Sequence, residues 1–312
     1  MFRTLIVPLD GSEQAERALP YAVRLAETGN GRLVLVRAAL GPPPSGQNWE
    51  DQQTAAVDEA NEYVAEVARK LATRVPVATS VLYGHAAEKI LESIQRFDAD
   101  AIVMTTHGRT GLAHLLRGSV AETVLAQSHV PVLLLHTRLG EAAAAPFDVS
   151  SARTLLPLDS SPFSETAVPV ATSILGSAGE LMLLMAVEPP DHVQRAESGQ
   201  VIAYIDQQVS DIRQEGLGYL QGIARSISAN NPDLHVTCNV EIGTPAECIL
   251  IAEAERAIDL VIMATHGLTG VRRGFTGSVA GEVVREGYTP VLLVPPHASI
   301  GPAPSPLPEH PG

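Results

Sequence analysis

The fold is decided by a stretch near the start of the chain, Thr4 to Ala26, which reads TLIVPLDGSEQAERALPYAVRLA. It opens with a short apolar run that is typical of a buried strand, passes an aspartate, and continues with the residue spacing of an amphipathic helix. A second version, TLLPLDSSPFSETAVPVATSIL, runs from Thr154 to Leu175. The chain therefore contains an internal repeat, and a repeat of this kind organises the whole sequence.

The repeat extends outward from this stretch through most of the chain. YGHAAEKIL from Tyr83 pairs with IGTPAECIL from Ile242, and DAIVMTTHG from Asp100 pairs with DLVIMATHG from Asp259. We predict two domains, at 1–139 and 152–297, that are joined by a linker at 140–151. The proline-rich residues 298–312 carry no periodicity, which predicts a disordered tail.

Each copy alternates short apolar runs with longer helical patterns, which predicts an α/β fold with a mostly parallel, doubly wound sheet. Such sheets bind ligands beyond the carboxyl ends of their strands, where the strand order reverses. In the first copy we place the strands at Thr4 to Leu9, Arg32 to Ala38, Val75 to Tyr83, Ala101 to Thr105 and Val132 to His136.

Composition excludes several classes of function. A net charge of −14 over 312 residues argues against binding to nucleic acid or to an anionic membrane. No apolar run reaches the roughly 18 residues of a membrane span, and Asp10 comes too early for a signal peptide, so we expect a cytoplasmic protein. The two cysteines, Cys238 and Cys248, support neither a disulfide framework nor a metal site.

The first strand of each copy ends in proline, one residue and aspartate. These residues are Pro8 and Asp10 in the first copy, and Pro157 and Asp159 in the second. A carboxylate at this point can bind the hydroxyl groups of a ribose or the edge of an adenine. It can equally cap the helix that follows, since aspartate and serine are both preferred N-cap residues.

The fourth strand of each copy leads into a glycine-containing loop and then a helix. A glycine allows close approach of the backbone, and a helix N-terminus attracts anions, so these residues form a candidate phosphate site. Loop arginines can reach a phosphate or remain solvated. Ser119 and Glu122 can form a capping box, but the second copy has Gly281 in place of that glutamate. The candidates are Met104, Gly108, Gly118 and Ser119, with Met263, Gly267, Gly277 and Ser278 in the second copy.

These motifs resemble the universal stress protein family, in particular its members with two domains in one chain. The family's ATP-binding signature has a glycine, two residues, a second glycine, nine residues, and then glycine with serine or threonine. Gly108 and Gly267 match the second glycine of that signature, whereas Thr105 and Ala264 stand where it has its first. ATP binding is therefore expected from most of the signature, without its first glycine.

The resemblance also implies a five-stranded sheet with the order 3-2-1-4-5 in each domain. It implies that Asp10 and Asp159 contact a nucleoside and that Ala38 and Ala186 line an adenine pocket. We add Val120 and Val279, which follow the hydroxyl residues, to the predicted site. In such proteins the last strand commonly pairs domains, so PVLLL from Pro131 and PVLLV from Pro290 are expected to join the halves as a pseudo-dimer. Homo-oligomers are also compatible with the resemblance.

The leading hypothesis is a stress-response regulator, or binding module, that holds ATP, alone or with Mg²⁺. The alternative is a scaffold of the same family that binds no nucleotide. A slow ATP hydrolase is the third hypothesis, and the sequence offers it little, because it has neither a Walker A lysine motif nor a nucleophile elbow. We therefore predict no enzyme and no catalytic residue.

Overall fold

The computed structural model of the chain describes residues 1–39, 49–106, 120–136, 148, 151–175, 179–188, 200–265 and 277–296. These residues belong to two units, whose described parts run from Met1 to His136 and from Asp148 to Pro296. The predicted linker at 140–151 and the predicted tail at 298–312 fall mostly outside the described residues. The domain boundaries therefore remain predictions.

The first unit alternates strands and helices along its described residues. Its strands are β1 (Thr4–Pro8), β2 (Arg32–Ala39), β3 (Val77–Tyr83), β4 (Ala101–Thr105) and β5 (Val132–Leu135). Its helices are α1 (Glu13–Glu16), α2 (Leu19–Gly29), α3 (Trp49–Leu71), α4 (Ala86–Phe97) and α5 (Val120–Gln127).

The strands of this unit pair in parallel in the order β3-β2-β1-β4-β5. In the register of the ladder, Pro8 lies opposite Val36, and Ile6 lies opposite Ile102. Strand β1 therefore has β2 on one side and β4 on the other, so the strand order reverses between β1 and β4. The carboxyl ends of these two strands form the switch point at which doubly wound sheets bind ligands.

The second unit repeats this architecture. Its strands are β6 (Arg153–Pro157), β7 (Glu180–Val187), β8 (His235–Ile242), β9 (Leu260–Ala264) and β10 (Val291–Val294). Its helices are α6 (Pro162–Glu165), α7 (Ala167–Leu175), α8 (Gln200–Asn230), α9 (Pro245–Glu255) and α10 (Ser278–Glu286). The parallel order β8-β7-β6-β9-β10 is again 3-2-1-4-5 in chain order, which confirms the predicted fold of each unit.

The core of each unit lies on both faces of its sheet. Leu5, Ile6 and Val7 of β1 are fully buried, as strands covered by helices on both sides require. In each unit, an aspartate just before the fourth strand accepts a hydrogen bond from the backbone at the start of the first strand. Asp100 accepts the backbone N–H of Thr4 at 2.8 Å, and Asp259 accepts that of Arg153 at 2.9 Å. These bonds hold the two strands side by side, so that their far ends also meet.

Candidate functional site

The loop after the first strand is built in the same way in both units. Ser12 caps α1, since its Oγ accepts the N–H of Ala15 at 3.1 Å, and the Ser12 N–H donates to Asp10 Oδ1 at 3.0 Å. In the second unit Ser161 caps α6, and its N–H donates to Asp159 Oδ1 at 3.0 Å. The serine is therefore the N-cap residue, and the aspartate, two residues earlier, orients the serine.

A tyrosine ties the long helix of each unit to this loop region. The hydroxyl of Tyr63 in α3 donates to Glu16 at 2.8 Å, and that of Tyr219 in α8 donates to Glu165 at 2.8 Å. Burial, together with the hydrogen bond to the glutamate, raises the pKa of both phenols above the ordinary range. Both tyrosines therefore stay neutral and keep donating at physiological pH.

A cavity of about 920 Å³ opens at the switch point of the second unit. Its volume lies in the range of roughly 300–1,000 Å³ that is usual for small-molecule sites. Its lining comes from the ends of β6, β7 and β9 and from the starts of α9 and α10. The cavity brings together Pro157, Asp159, Ala186, Met263, Gly277, Ser278 and Val279, which are the described members of the predicted second site.

The strand end and the helix start that the sequence separates by a loop are bonded directly. The N–H of Gly277 donates to the carbonyl of Thr265, the residue after β9, at 2.8 Å. Gly277 is the N-cap of α10, and a glycine has no side chain with which to cap that helix start. The first N–H groups of a helix have no acceptor within it, so this cavity wall presents hydrogen-bond donors and the positive end of a helix dipole.

The described lining carries an acidic set of side chains. Aspartate or glutamate occurs at four lining positions, and no lysine, arginine or histidine lines the cavity among the residues that the structure describes. Among the described lining residues, positive character therefore comes from the N-terminus of α10. The four acidic residues are Asp159, Glu188, Glu215 and Glu282.

Sequence reasoning missed the wall that α8 contributes. Met185 at the end of β7, together with Glu215, Gly216 and Tyr219 of α8, lines the same cavity. The signal was present, because a tyrosine recurs at the matching position of α3. Both tyrosines lie in the helix that follows the second strand of their unit. The two copies differ most in length in this helix, so the sequences are hard to align there.

The first unit places its described candidates in the corresponding positions. Pro8 ends β1, Asp10 lies in the loop after it, and Met104 is buried near the end of β4, the neighbouring strand. Ala38 lies near the end of β2, and Val120 is in the first turn of α5. Gly108, Gly118, Ser119 and Gly267 lie outside the described residues, so their predicted roles remain predictions.

None of the helices among the described residues is both long enough and apolar enough to cross a membrane. In the same residues, histidine, cysteine, aspartate and glutamate side chains do not gather in groups of three or more that could hold a metal ion.

Comparison with known proteins gives a consistent family assignment. The model of the universal stress protein family matches the chain twice, at residues 1–136 and 151–295. A universal stress protein of Methanocaldococcus jannaschii is 33% identical over 142 residues, which are 43% of this chain and 82% of the relative. One from Mycobacterium tuberculosis is 26% identical over 302 residues, which are 93% of this chain and 96% of the relative.

A crystal structure of a universal stress protein from Archaeoglobus fulgidus has the same fold. It superimposes with a TM-score of 0.66 and 22% sequence identity, and the match covers 94% of this chain and 96% of the other. At this identity the likeness concerns the fold alone.

Proposed function

This chain belongs to the universal stress protein family, and from that premise we propose that its second unit binds an adenine nucleotide, ATP in the first instance. One observation carries the proposal. A single cavity collects Asp159, Ala186 and the Gly277-Ser278 helix start, for which the sequence predicts contacts to the nucleoside, the adenine and the phosphates in turn. With nucleotide binding, the chain would act as a stress-response regulator or binding module. Its partners would bind the nucleotide-occupied and the empty state with different affinities.

The chemistry of the lining suits each part of a nucleotide. Ala186, Val187, Ile249 and Met263 offer apolar surface to a base. The Asp159 carboxylate, oriented by the Ser161 N–H, is an acceptor for sugar hydroxyl groups. The start of α10 offers backbone donors to phosphate.

The acidic lining bears on the form of the nucleotide. Four carboxylate-bearing residues around one cavity repel a free triphosphate, and the described residues contribute no basic side chain in return. A divalent cation on the phosphates would remove most of that repulsion. Because the described residues hold no metal cluster of their own, we propose that Mg²⁺ enters with the nucleotide.

We further propose binding without efficient catalysis, because the sequence has neither a Walker A lysine motif nor a nucleophile elbow. The scaffold that binds no nucleotide is the main alternative, and slow ATP hydrolysis is the third. The cytoplasmic location expected from the sequence stays a prediction.

Calorimetric titration of the purified protein with ATP and Mg²⁺ tests the proposal. Asp159→Asn keeps the shape of the side chain and an acceptor for Ser161, but it places an NH2 donor where the second carboxylate oxygen would accept from the sugar hydroxyl groups, so affinity should fall about tenfold or more. Glu180→Gln, at an exposed position on the same sheet, is the matched control and should leave affinity unchanged.

Three results would decide between the hypotheses. No heat of binding and no thermal shift at millimolar ATP with Mg²⁺ would reject nucleotide binding and leave the scaffold. Equal affinity in wild type and Asp159→Asn would reject this placement of the sugar. Phosphate release above the blank that disappears in Asp159→Asn would establish the hydrolase.

A further inference from the structure

One position beside the switch point carries very different side chains in the two units. This position lies where a ligand would enter between the second strand and the long helix. Arg37 lies near the end of β2, opposite Val81, two rungs before the last pair of its ladder. Met185 lies near the end of β7, opposite Val240, also two rungs before the last pair. An arginine in the first unit therefore stands where a methionine lines the cavity of the second.

The Arg37 side chain is held from three sides. Its guanidinium carbon lies 4.7 Å from the centre of the Tyr63 ring. Its Nη2 lies 3.7 Å from Glu59. The guanidinium of Arg37 also lies against Gly11, since a methyl group added to Gly11 would be 3.2 Å from Nη1. The side chain is only 11% exposed as a result.

The three contacts of Arg37 correspond to three positions that line the cavity of the second unit. Tyr63 and Tyr219 make the same hydrogen bond to the first short helix of their units, so Glu59 corresponds to Glu215, four residues before the tyrosine. Gly11 corresponds to Ser160, because each follows the aspartate whose Oδ1 accepts the serine N–H. Glu215, Tyr219 and Ser160 all line that cavity.

In the second unit, a glycine of the long helix lets the methionine side chain pack against that helix. Gly216 stands where the first unit has Ala60, and a methyl group at Gly216 would lie 2.9 Å from the sulfur of Met185. Glu215 also makes no ion pair with any residue that the structure describes, whereas its counterpart Glu59 is paired with Arg37.

We propose that Arg37 occludes the nucleoside side of the first unit, so that the chain binds one nucleotide and binds it in the second unit. The guanidinium occupies the space between the loop after β1 and the long helix, which in the second unit belongs to the cavity. This inference rests on the proposed function, since it assigns the same ligand to one of two similar sites.

The test counts nucleotides per chain by equilibrium dialysis with ATP and Mg²⁺, for wild type, Arg37→Ala and Met185→Arg. We expect one nucleotide in wild type, two in Arg37→Ala, and at least a tenfold loss of affinity in Met185→Arg. Arg37→Met with Ala60→Gly reproduces the second unit in the first and should also bind two. Thermal unfolding establishes that each variant is folded.

Every outcome of the count is decisive. Two nucleotides in wild type, or one in both wild type and Arg37→Ala, would overturn the occlusion and leave nucleotide binding standing. A loss of nucleotide in Arg37→Ala would also overturn it, because the arginine would then be a ligand-binding group. None in wild type but one in Arg37→Ala would support the occlusion and refute binding in the second unit. None in either would refute both.

Discussion

At the scale of single residues, Gly277 has the most direct consequence for ligand binding. It is the N-cap of α10, it lines the cavity, and its N–H is bonded to Thr265 at 2.8 Å. Any side chain here would project from the wall at which phosphate is proposed to approach the backbone.

We therefore predict that Gly277→Val lowers the affinity for ATP with Mg²⁺ at least tenfold, measured by calorimetric titration. Gly222→Val is the control, since a side chain at that exposed position of α8 would meet nothing within 4 Å. Equal affinity in the two variants would contradict a phosphate site at the start of α10.

Glu253 in α9 is a buried carboxylate, and only one of its two oxygens is hydrogen-bonded among the described residues. One oxygen accepts the N–H groups of Tyr288 and Thr289 at 3.3 and 3.4 Å, and the other has no partner among the described residues. Burial raises the pKa of Glu253 above its usual value of 4.5, although the two backbone bonds act in the opposite direction. The folded protein therefore binds this proton more tightly than the unfolded chain does.

This shift sets the sign of a pH effect. Stability from Glu253 is fully present below pH 4.5 and is lost as the pH rises through the raised pKa. Glu253→Gln should consequently unfold at a higher temperature than wild type at pH 7, by an amount equivalent to about 1 kcal/mol. That advantage should shrink toward pH 4.5 in a series of thermal melts. A difference that stays constant with pH would show that the charge is not responsible.

Residue identity predicted part of the site. Asp159, Gly277 and Ser278 stand out in the sequence because they recur in both copies beside a strand end or a helix start. Met185 does not recur, since Arg37 stands in its place, and Glu215 recurs as Glu59 only inside the long helix, away from any strand end or helix start. Their places in the cavity wall are set by packing, which periodicity alone does not specify.

At the scale of elements, strand positions followed from sequence to within two residues. The expected strands at Thr4 to Leu9 and Val75 to Tyr83 correspond to Thr4–Pro8 and Val77–Tyr83. The apolar run of β1 is buried on both faces, which makes its pattern strong, whereas the residues of β3 are mostly half-buried. The helix caps were harder to assign, because aspartate and serine are both good N-cap residues and only the backbone geometry shows that Ser12 and Ser161 cap.

Two residues after the end of α9 lies an alanine in an unfavourable conformation. Ala257 has φ of 48°, in the left-handed region that glycine prefers, and it is exposed. We predict that Ala257→Gly stabilises the protein by about 0.5–1 kcal/mol in urea unfolding, because it relieves this strain. Ala254→Gly, at an exposed position inside the same helix, should destabilise by about as much. Destabilisation by both variants would contradict the strain.

At the scale of the whole molecule, the repeat predicted two units of one fold, and both have the 3-2-1-4-5 strand order. The sequence resemblance gives both units the same candidate positions and leaves open whether one unit or both bind ATP. The contacts of Arg37 are the basis for proposing that the symmetry does not extend to the ligand, since an arginine near the end of β2 stands where β7 has Met185.

The expected pairing of the halves through their last strands stays a prediction and can be tested on the full chain. With a protease site inserted in the predicted linker at 140–151, the cleaved fragments should still elute together in size-exclusion chromatography. The reason is that strands as apolar as VLLL and VLLV would otherwise leave an exposed edge that invites association. Separate elution of two folded fragments would contradict the pairing.

A crystal structure of the chain grown with ATP and Mg²⁺ tests the central claim most directly. We predict electron density for one nucleotide, in the cavity of the second unit, with its sugar beside Asp159 and its phosphates at the start of α10. An empty cavity at a nucleotide concentration that saturates the protein in solution, or a nucleotide bound elsewhere, would contradict the proposed function.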